Sequence, residues 1–225
     1  MRERARSAQD KTRRSDDLLD AAEALAGELG GVRFVTIAGV TERVGLHRTG
    51  VRRYYASKEE LLLGLAERGW WQWRERVQAE MDGASGLTPT QVADAIVDTV
   101  TSLPVFCDLM AHVPMSLEGE VDLERARRYK TNSFAAFDQI ADSFGQASRM
   151  TPDQVENLLV AALPLAAGLW QVSHPTPTLE ALYAQEPRWG HVALDWTPRL
   201  QQLLRAVAVG LTHTPQQTHP LQAAD

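Results

Sequence analysis

Apolar residues recur along this chain at intervals of three and four, and no segment alternates apolar with polar positions long enough to make a half-buried strand. The pattern predicts an all-α protein. Leu18, Ala22, Leu25, Ala26 and Leu29 form one stripe. Ser15, Asp16 and Asp17 suit the positive end of that helix and Gly30-Gly31 stops it, which places the first helix over about residues 15–29. Ile37, Val40 and Val44 share the buried side of a second, short helix that Thr36 can cap and Gly45 can end. A third short helix is expected from about His47 to Arg53. Val51 and the Tyr54/Tyr55 pair would point inward there, and Arg48, Thr49, Arg52 and Arg53 outward. Ser57-Lys58-Glu59-Glu60 is a capping box that opens a long helix reaching about Met81.

The later helices announce themselves by a shared device, Thr-Pro, with threonine as the cap and proline in the first turn. It falls at Thr88-Pro89, Thr151-Pro152 and Thr197-Pro198, and Gln91 and Gln154 complete capping boxes in the first two. Helices are therefore expected over about 89–103, 104–112, 122–145, 152–172 and 198–211. Residues 173–196, with scattered prolines and glycines, read as a loop containing one helical turn near 179–185. The domain division that follows is a basic arm over 1–14, a small helical domain over 15–57, a larger one over 58–212, and a polar tail over 213–225. The arm can track a DNA backbone or remain idle.

Two short helices joined by a glycine turn, the second bearing outward arginines, have the form of a helix-turn-helix. Charge agrees with that reading. The 225 residues carry a net charge of −6, but residues 1–58 hold 12 Lys and Arg against 8 Asp and Glu, while the rest hold 11 against 21. A basic end on an acidic body confines contact with phosphate to one domain. Arg48 and Arg52 lie four apart with Thr49 beside them, so they are the candidates for reading base edges. Helix caps and starts that flank them face phosphates, which makes Thr36, His47 and Lys58 candidates for phosphate contact, together with the outward Arg53.

Thr36, Val40, Val44, Gly45, Leu46, Val51, Tyr54, Tyr55, Ser57, Lys58 and Leu61 together resemble the DNA-binding signature of the TetR family of transcriptional regulators. The departures are Thr41 where that family usually has Ala, His47 where it has Ser or Thr, and Arg52 where it has Tyr. The resemblance implies a homodimer that binds operator DNA, with base-reading positions at Arg48, Thr49 and Arg52 and phosphate-contacting positions at Thr36, His47, Lys58 and Tyr54, the last competing with a role in the core. It also implies a long helix linking head to body, and an apolar pocket in the body for a small-molecule effector. Phe106, Met110, Phe134, Phe137 and Trp170 are the candidates to line such a pocket, with His112 or Asn132 as its polar anchor; at helical spacing they read equally as plain core.

The stretch 152–172 is apolar on more than one face, and the final helix shows the same excess. Doubled by a two-fold axis, the two would form a four-helix dimer interface, with Leu158, Ala162, Leu169, Leu200, Leu204, Val207 and Leu211 as its candidates. Alternatively both complete a monomeric core. The run Leu158–Trp170 is too short to span a bilayer and contains Pro164.

Cys107 is the single cysteine, so no internal disulfide exists and a reducing cytoplasm is the expected setting. The N-terminal residues lack the apolar stretch of a secretory signal. His112, Glu118 and Glu120 match no common metal spacing, and no nucleophile–base pair or phosphate-cradling glycine loop appears, so no enzyme, metal or cofactor is expected. The function expected is that of a DNA-binding regulator, a repressor released by an apolar or aromatic effector. The competing readings are a helical interaction protein, or an enzyme in which the helix-turn-helix is incidental.

Overall fold

The computed structural model describes residues 2–47, 49–193 and 195–213, and among these every regular element is helical. Helix α1 (Arg2–Leu29) leads to a single turn at Val32–Phe34, then α2 (Ile37–Arg43), a turn at Val51–Arg53, and α3 (Lys58–Met81). Next come α4 (Pro89–Thr101), α5 (Pro104–His112), two further turns over Val113–Glu120, and α6 (Leu123–Ala147). Helices α7 (Pro152–Ser173), α8 (Pro177–Gln185) and α9 (Trp196–His213) complete the described chain, and residues 214–225 of the expected tail lie outside it.

Capping chemistry sets most of these boundaries. Thr88 and Thr151 each accept the N–H of the glutamine three residues on, while that glutamine's side chain bonds back to the cap, so two of the three expected boxes are formed; at Ser57 the Glu60 side chain accepts Ala56 N–H instead of the cap's own. Ser57 accepts from Glu60 N–H at 3.1 Å and starts α3. The third Thr-Pro start is corrected. Helix α9 begins at Trp196, with Pro198 inside its first turn, where a missing amide costs nothing. Asp195 provides the bond instead, accepting Thr197 N–H at 3.2 Å. The same device stands at Thr176-Pro177, where the Thr176 side chain caps α8.

Helix α1 also differs from its expected extent. It starts at Arg2 rather than Ser15, so the stretch assigned to an arm is drawn as helix. Periodicity misses it because the stretch has no apolar face, yet Arg, Glu, Ala, Gln and Lys are all good helix formers. Ion pairs one turn apart, Asp10–Arg13 and Arg14–Asp17, reinforce it. Ser15 is consequently no cap; its hydroxyl meets the Tyr55 hydroxyl at 2.8 Å.

The body is built around α3. Trp73 is fully buried with its indole N–H on Thr99, and Trp70 is buried with its N–H on the Tyr129 hydroxyl. Phe106 packs edge-on to Trp70 at 5.4 Å between ring centres, and a Cβ on Gly69 would run into the Phe106 ring, which explains a glycine in mid-helix. Trp71, next to Trp70 on the same helix, is half-buried and covered by the Arg74 guanidinium, so the three tryptophans of α3 do not share one face.

Helix α7, at 22 residues, extends beyond the apolar run Leu158–Trp170 and by length and composition could cross a bilayer. What occupies its apolar residues is the core: Val155, Leu158, Leu159, Ala162, Ala166 and Ala167 are buried. Helix α9 buries Leu200, Leu204 and Ala208 beside it.

Arg205 fixes α9 to α4, donating Nε and Nη2 to the two Asp94 oxygens at 2.6 and 2.7 Å, while Gln201 donates to the same carboxylate at 3.0 Å. The Arg205 bond holds the Asp94 carboxyl below its usual range, against a smaller opposing effect of burial. A carboxyl shifted that way stabilises the fold above its unfolded value, and the contribution is lost as pH falls through the folded one. Asp94→Asn should therefore lose less stability than the wild type between roughly pH 5 and 3, read as the shift of the urea midpoint with pH; equal losses would contradict the assignment.

Candidate nucleic-acid interface

The head is organised by what its two short elements bury. In α2, Val40 and Thr41 face inward, and the Thr41 hydroxyl back-bonds to the carbonyls of Ile37 at 2.9 Å and Ala38 at 3.0 Å. A threonine in this buried place is thus satisfied within its own helix. Thr36 caps α2 through Gly39 N–H at 3.1 Å, so its hydroxyl already has one partner, though the residue is exposed. Gly45, at φ +66°, turns the chain out of α2 as a left-handed cap.

The third helix, expected from about His47 to Arg53, gives way among the described residues to turns. Gly50 N–H reaches the His47 carbonyl at 2.7 Å, and Val51–Arg53 then form one turn that closes on Tyr54 and Tyr55 N–H. Seven residues with glycine in the middle are too few to repay helix nucleation, and the tertiary anchors decide the shape. Those anchors are Val51 and Tyr55, at 2% and 8% exposure. Because they point inward, Thr49, Arg52 and Arg53 point out, and His47 stands beside them with Nδ1 at 2.9 Å from the Thr49 hydroxyl. Arg48 lies outside the described residues.

Of the remaining candidates, Tyr54 is half-buried. Lys58 is half-buried too, and its ammonium donates to the Arg33 carbonyl at 3.0 Å, inside the head. Burial pushes the Tyr55 phenol up, so it remains a neutral partner for Ser15. At the edge of the head, Arg43 grips Glu28 with both terminal nitrogens, at 2.7 and 2.6 Å, tying α2 to α1. The exposed cations of the turn thus stand apart from Arg43, which is engaged by Glu28.

The body's candidates fare less uniformly. The seven residues assigned to an effector pocket do not surround one chamber. Phe106 and Phe137 belong to the Trp70 cluster, whereas Trp170 stacks on His174 at 3.5 Å and meets Trp196 edge-on at 5.6 Å. Phe134 is corrected outright: it is 62% exposed, because its place on α6 points away from α3. Asn132 donates to Glu67 at 3.3 Å, Met110 is half-buried, and His112 faces Asp108 at 3.5 Å. An open groove of about 440 Å³ does exist between α6 and α7, lined by Phe137, Ala141 and Pro152 with Asp138, Asp142 and Glu156. No residue pattern in the sequence marks it.

Four of the interface candidates are corrected as well. Leu158, Ala162, Leu200 and Leu204 are at most 1% exposed within the single chain, so they are core. Leu169, Val207 and Leu211 remain half-buried. The outward apolar residues of the same two helices are Val160, Val172, Leu203 and Val209, between 39% and 56% exposed.

Residues 67–215 match the family profile described as the Tetracyclin repressor-like, C-terminal domain. The chain belongs to the TetR family of transcriptional regulators. As a TetR-family protein it is a DNA-binding regulator whose helical head and body are those described above. Its fold is similar to that of the transcriptional regulator FadR from Bacillus subtilis, solved in complex with stearoyl-CoA, at 13% identity over 86% of this chain and 97% of that one, with a TM-score of 0.50. A candidate transcriptional regulator from Streptomyces coelicolor A3(2) matches at 18% identity over 89% of this chain and 98% of that one, with a TM-score of 0.45. No curated protein sequence matches the chain.

Proposed function

We propose that this TetR-family regulator acts in the cytoplasm as a homodimeric repressor, occupying a palindromic operator until a small apolar effector releases it. The observation that supports the reading is the turn at 49–53, where Val51 and Tyr55 are buried and Thr49, Arg52 and Arg53 are exposed. Arg48, Thr49 and Arg52 read base edges, arginine being suited to guanine O6 and N7. Thr36, His47, Arg53 and Tyr54 contact phosphates. Lys58 contributes by holding the Arg33 backbone and reaches a phosphate only by leaving it.

Dimerisation supplies the palindrome, since two heads related by a two-fold select two half-sites. The face that supports it is revised from the buried residues to the exposed ones. Val160, Pro164, Gly168 and Val172 are exposed and four apart, so they form one outward stripe on α7, and Leu203, Ala206, Val209 and Gly210 form another on α9. Small residues in both let two helices approach closely. Half-buried Leu169, Val207 and Leu211 border this face. A glutamate at Val160 together with one at Val209 should convert the dimer to monomers, because each two-fold contact would then bury unpaired carboxylates. Sedimentation velocity at micromolar protein reads this directly; an unaltered dimer would contradict the assigned face.

For release, the effector must bind one arrangement of head and body better than the other, since tight binding alone shifts nothing. That FadR of Bacillus subtilis was solved with stearoyl-CoA fits an effector with a long apolar part. In-vitro selection from random duplex DNA tests the central reading. A palindrome should emerge with the wild type and fail to emerge with the Val160/Val209 monomer, whereas enrichment of no sequence at all would overturn it.

A further inference from the structure

Three segments distant in sequence meet at one buried carboxylate. Asp108, on α5 and 4% exposed, accepts the backbone N–H of Val32 at 2.6 Å on Oδ2 and the Gln171 side-chain amide at 2.5 Å on Oδ1. The His112 Nε2 lies 3.5 Å from the same Oδ1. Val32 belongs to the head, in the turn that follows α1; Gln171 belongs to α7, near its C-terminal end.

The turn is shaped to make that contact. Gly30 takes φ +77° and Gly31 N–H bonds back to the Ala26 carbonyl at 2.8 Å, the six-to-one closure of a Schellman motif. Gly31 follows at φ +151°, and a Cβ there would lie 3.3 Å from Asp108 Oδ2. Val32 and Val35 are then buried, at 1% and 0% exposure, so the turn is fixed with its N–H aimed at the carboxylate.

A residue that merely filled space between buried Cys107 and Leu109 would be apolar, because desolvating a carboxylate is costly unless its oxygens are fully bonded. Burial does raise the Asp108 carboxyl, but His112, the Val32 N–H and Gln171 together outweigh it and hold the group below its usual range. The site is therefore satisfied only while the turn after α1, α5 and α7 keep one mutual arrangement. Shifting α7 or α5 by an ångström strips a bond from a buried charge, and such a site has two discrete conditions rather than a continuum.

We propose that Asp108 is the positioning residue that sets the DNA-binding head on the body, relaying the placement of α7 to the backbone of Val32. The proposal rests on the DNA-binding reading for its consequence, though not for the contact itself. Gln171 makes the relay testable, since it is bonded to Asp108 and belongs to neither the head nor its turn.

The test is hydrogen exchange by mass spectrometry on the full chain, read on peptides covering residues 31–35, with operator affinity measured in parallel on the palindrome obtained by selection. Asp108→Ala should speed exchange over 31–35 by at least tenfold while α4 and α9 stay as in the wild type, and should change operator Kd fivefold or more. Asp108→Asn keeps an acceptor for Val32, and the Gln171 amide can turn to accept its new N–H, so both readouts should return to within threefold of the wild type. Gln171→Met, which leaves Asp108 in place and decides the matter if the alanine variant does not fold, should speed exchange over 31–35 at least threefold. Unchanged exchange there in Gln171→Met, or altered exchange with unchanged operator Kd in both variants, would overturn the relay and leave Asp108 a local stitch. A wild type that selects no palindrome would count against the regulator reading, while the exchange arm would still decide the contact.

Discussion

Replacing Arg125 with alanine is expected to destabilise the protein by about 3–5 kcal/mol, the usual result of removing one partner from a buried ion pair. Arg125 is 3% exposed at the start of α6, and its two terminal nitrogens donate to the two Glu67 oxygens of α3 at 3.0 Å each. Its Nε lies 3.8 Å from Glu60. Both glutamates have further duties: Glu60 accepts Ala56 N–H at 2.5 Å just before α3, and Glu67 accepts from Asn132. Without the guanidinium, Glu67, 17% exposed, would keep only the Asn132 amide, while Glu60, 19% exposed, would keep Arg128 at 3.8 Å. Lysine at this position would restore the charge but not the planar fork, and should recover only part of the loss. Chemical denaturation at neutral pH checks this, and an alanine variant within about 1 kcal/mol of the wild type, the range of exposed pairs, would show that the network is loose. Because Glu60 and Glu67 lie on the helix that joins head to body, the loss would also weaken operator binding.

Arg52→Ala should produce the largest change in DNA binding. One bidentate contact to guanine is worth about 1–3 kcal/mol, and the proposed homodimer would carry the substitution in both heads. The combined loss is then about 2–6 kcal/mol, from roughly thirtyfold to about twenty-thousandfold in affinity. Nothing in the fold should suffer, since Arg52 is exposed and the turn is held by Val51 and Tyr55. A base-reading role predicts relaxed preference at one position of each half-site with an almost unaltered salt slope. Weaker binding that is uniform over sequences, with a shallower salt slope, would instead make Arg52 a phosphate contact.

What the sequence shows best is whatever local chemistry decides. The capping boxes at Thr88 and Thr151 and the Ser57 cap place three helix starts where the structure has them, because such a cap is complete within four residues. Tertiary decisions were less legible. The turn at 47–53 reads as a helix from its spacing, yet its shape follows from where Val51 and Tyr55 are buried. Helix α7 is apolar nearly all round, and nothing in its sequence apportions Leu158 to its own core and Val160 to the surface. Phe134 and Phe137 stand one turn apart on α6, but only the second is turned toward Trp70. Asp108 is the plainest case. A lone aspartate within Phe106-Cys107-Asp108-Leu109-Met110 looks like the solvent side of a helix, and only the folded chain brings the Val32 N–H and Gln171 to it.

The central claim is that the exposed turn of the head reads a sequence in two copies, and competition binding tests it most directly. The Kd for the selected palindrome and for the same duplex scrambled should be measured at physiological salt, by fluorescence anisotropy. A specific regulator predicts a ratio of roughly a thousandfold or more, with a stoichiometry of one dimer per duplex. A ratio within about tenfold, well short of specific recognition, would contradict the account and reduce the basic head to a surface that binds DNA by charge alone.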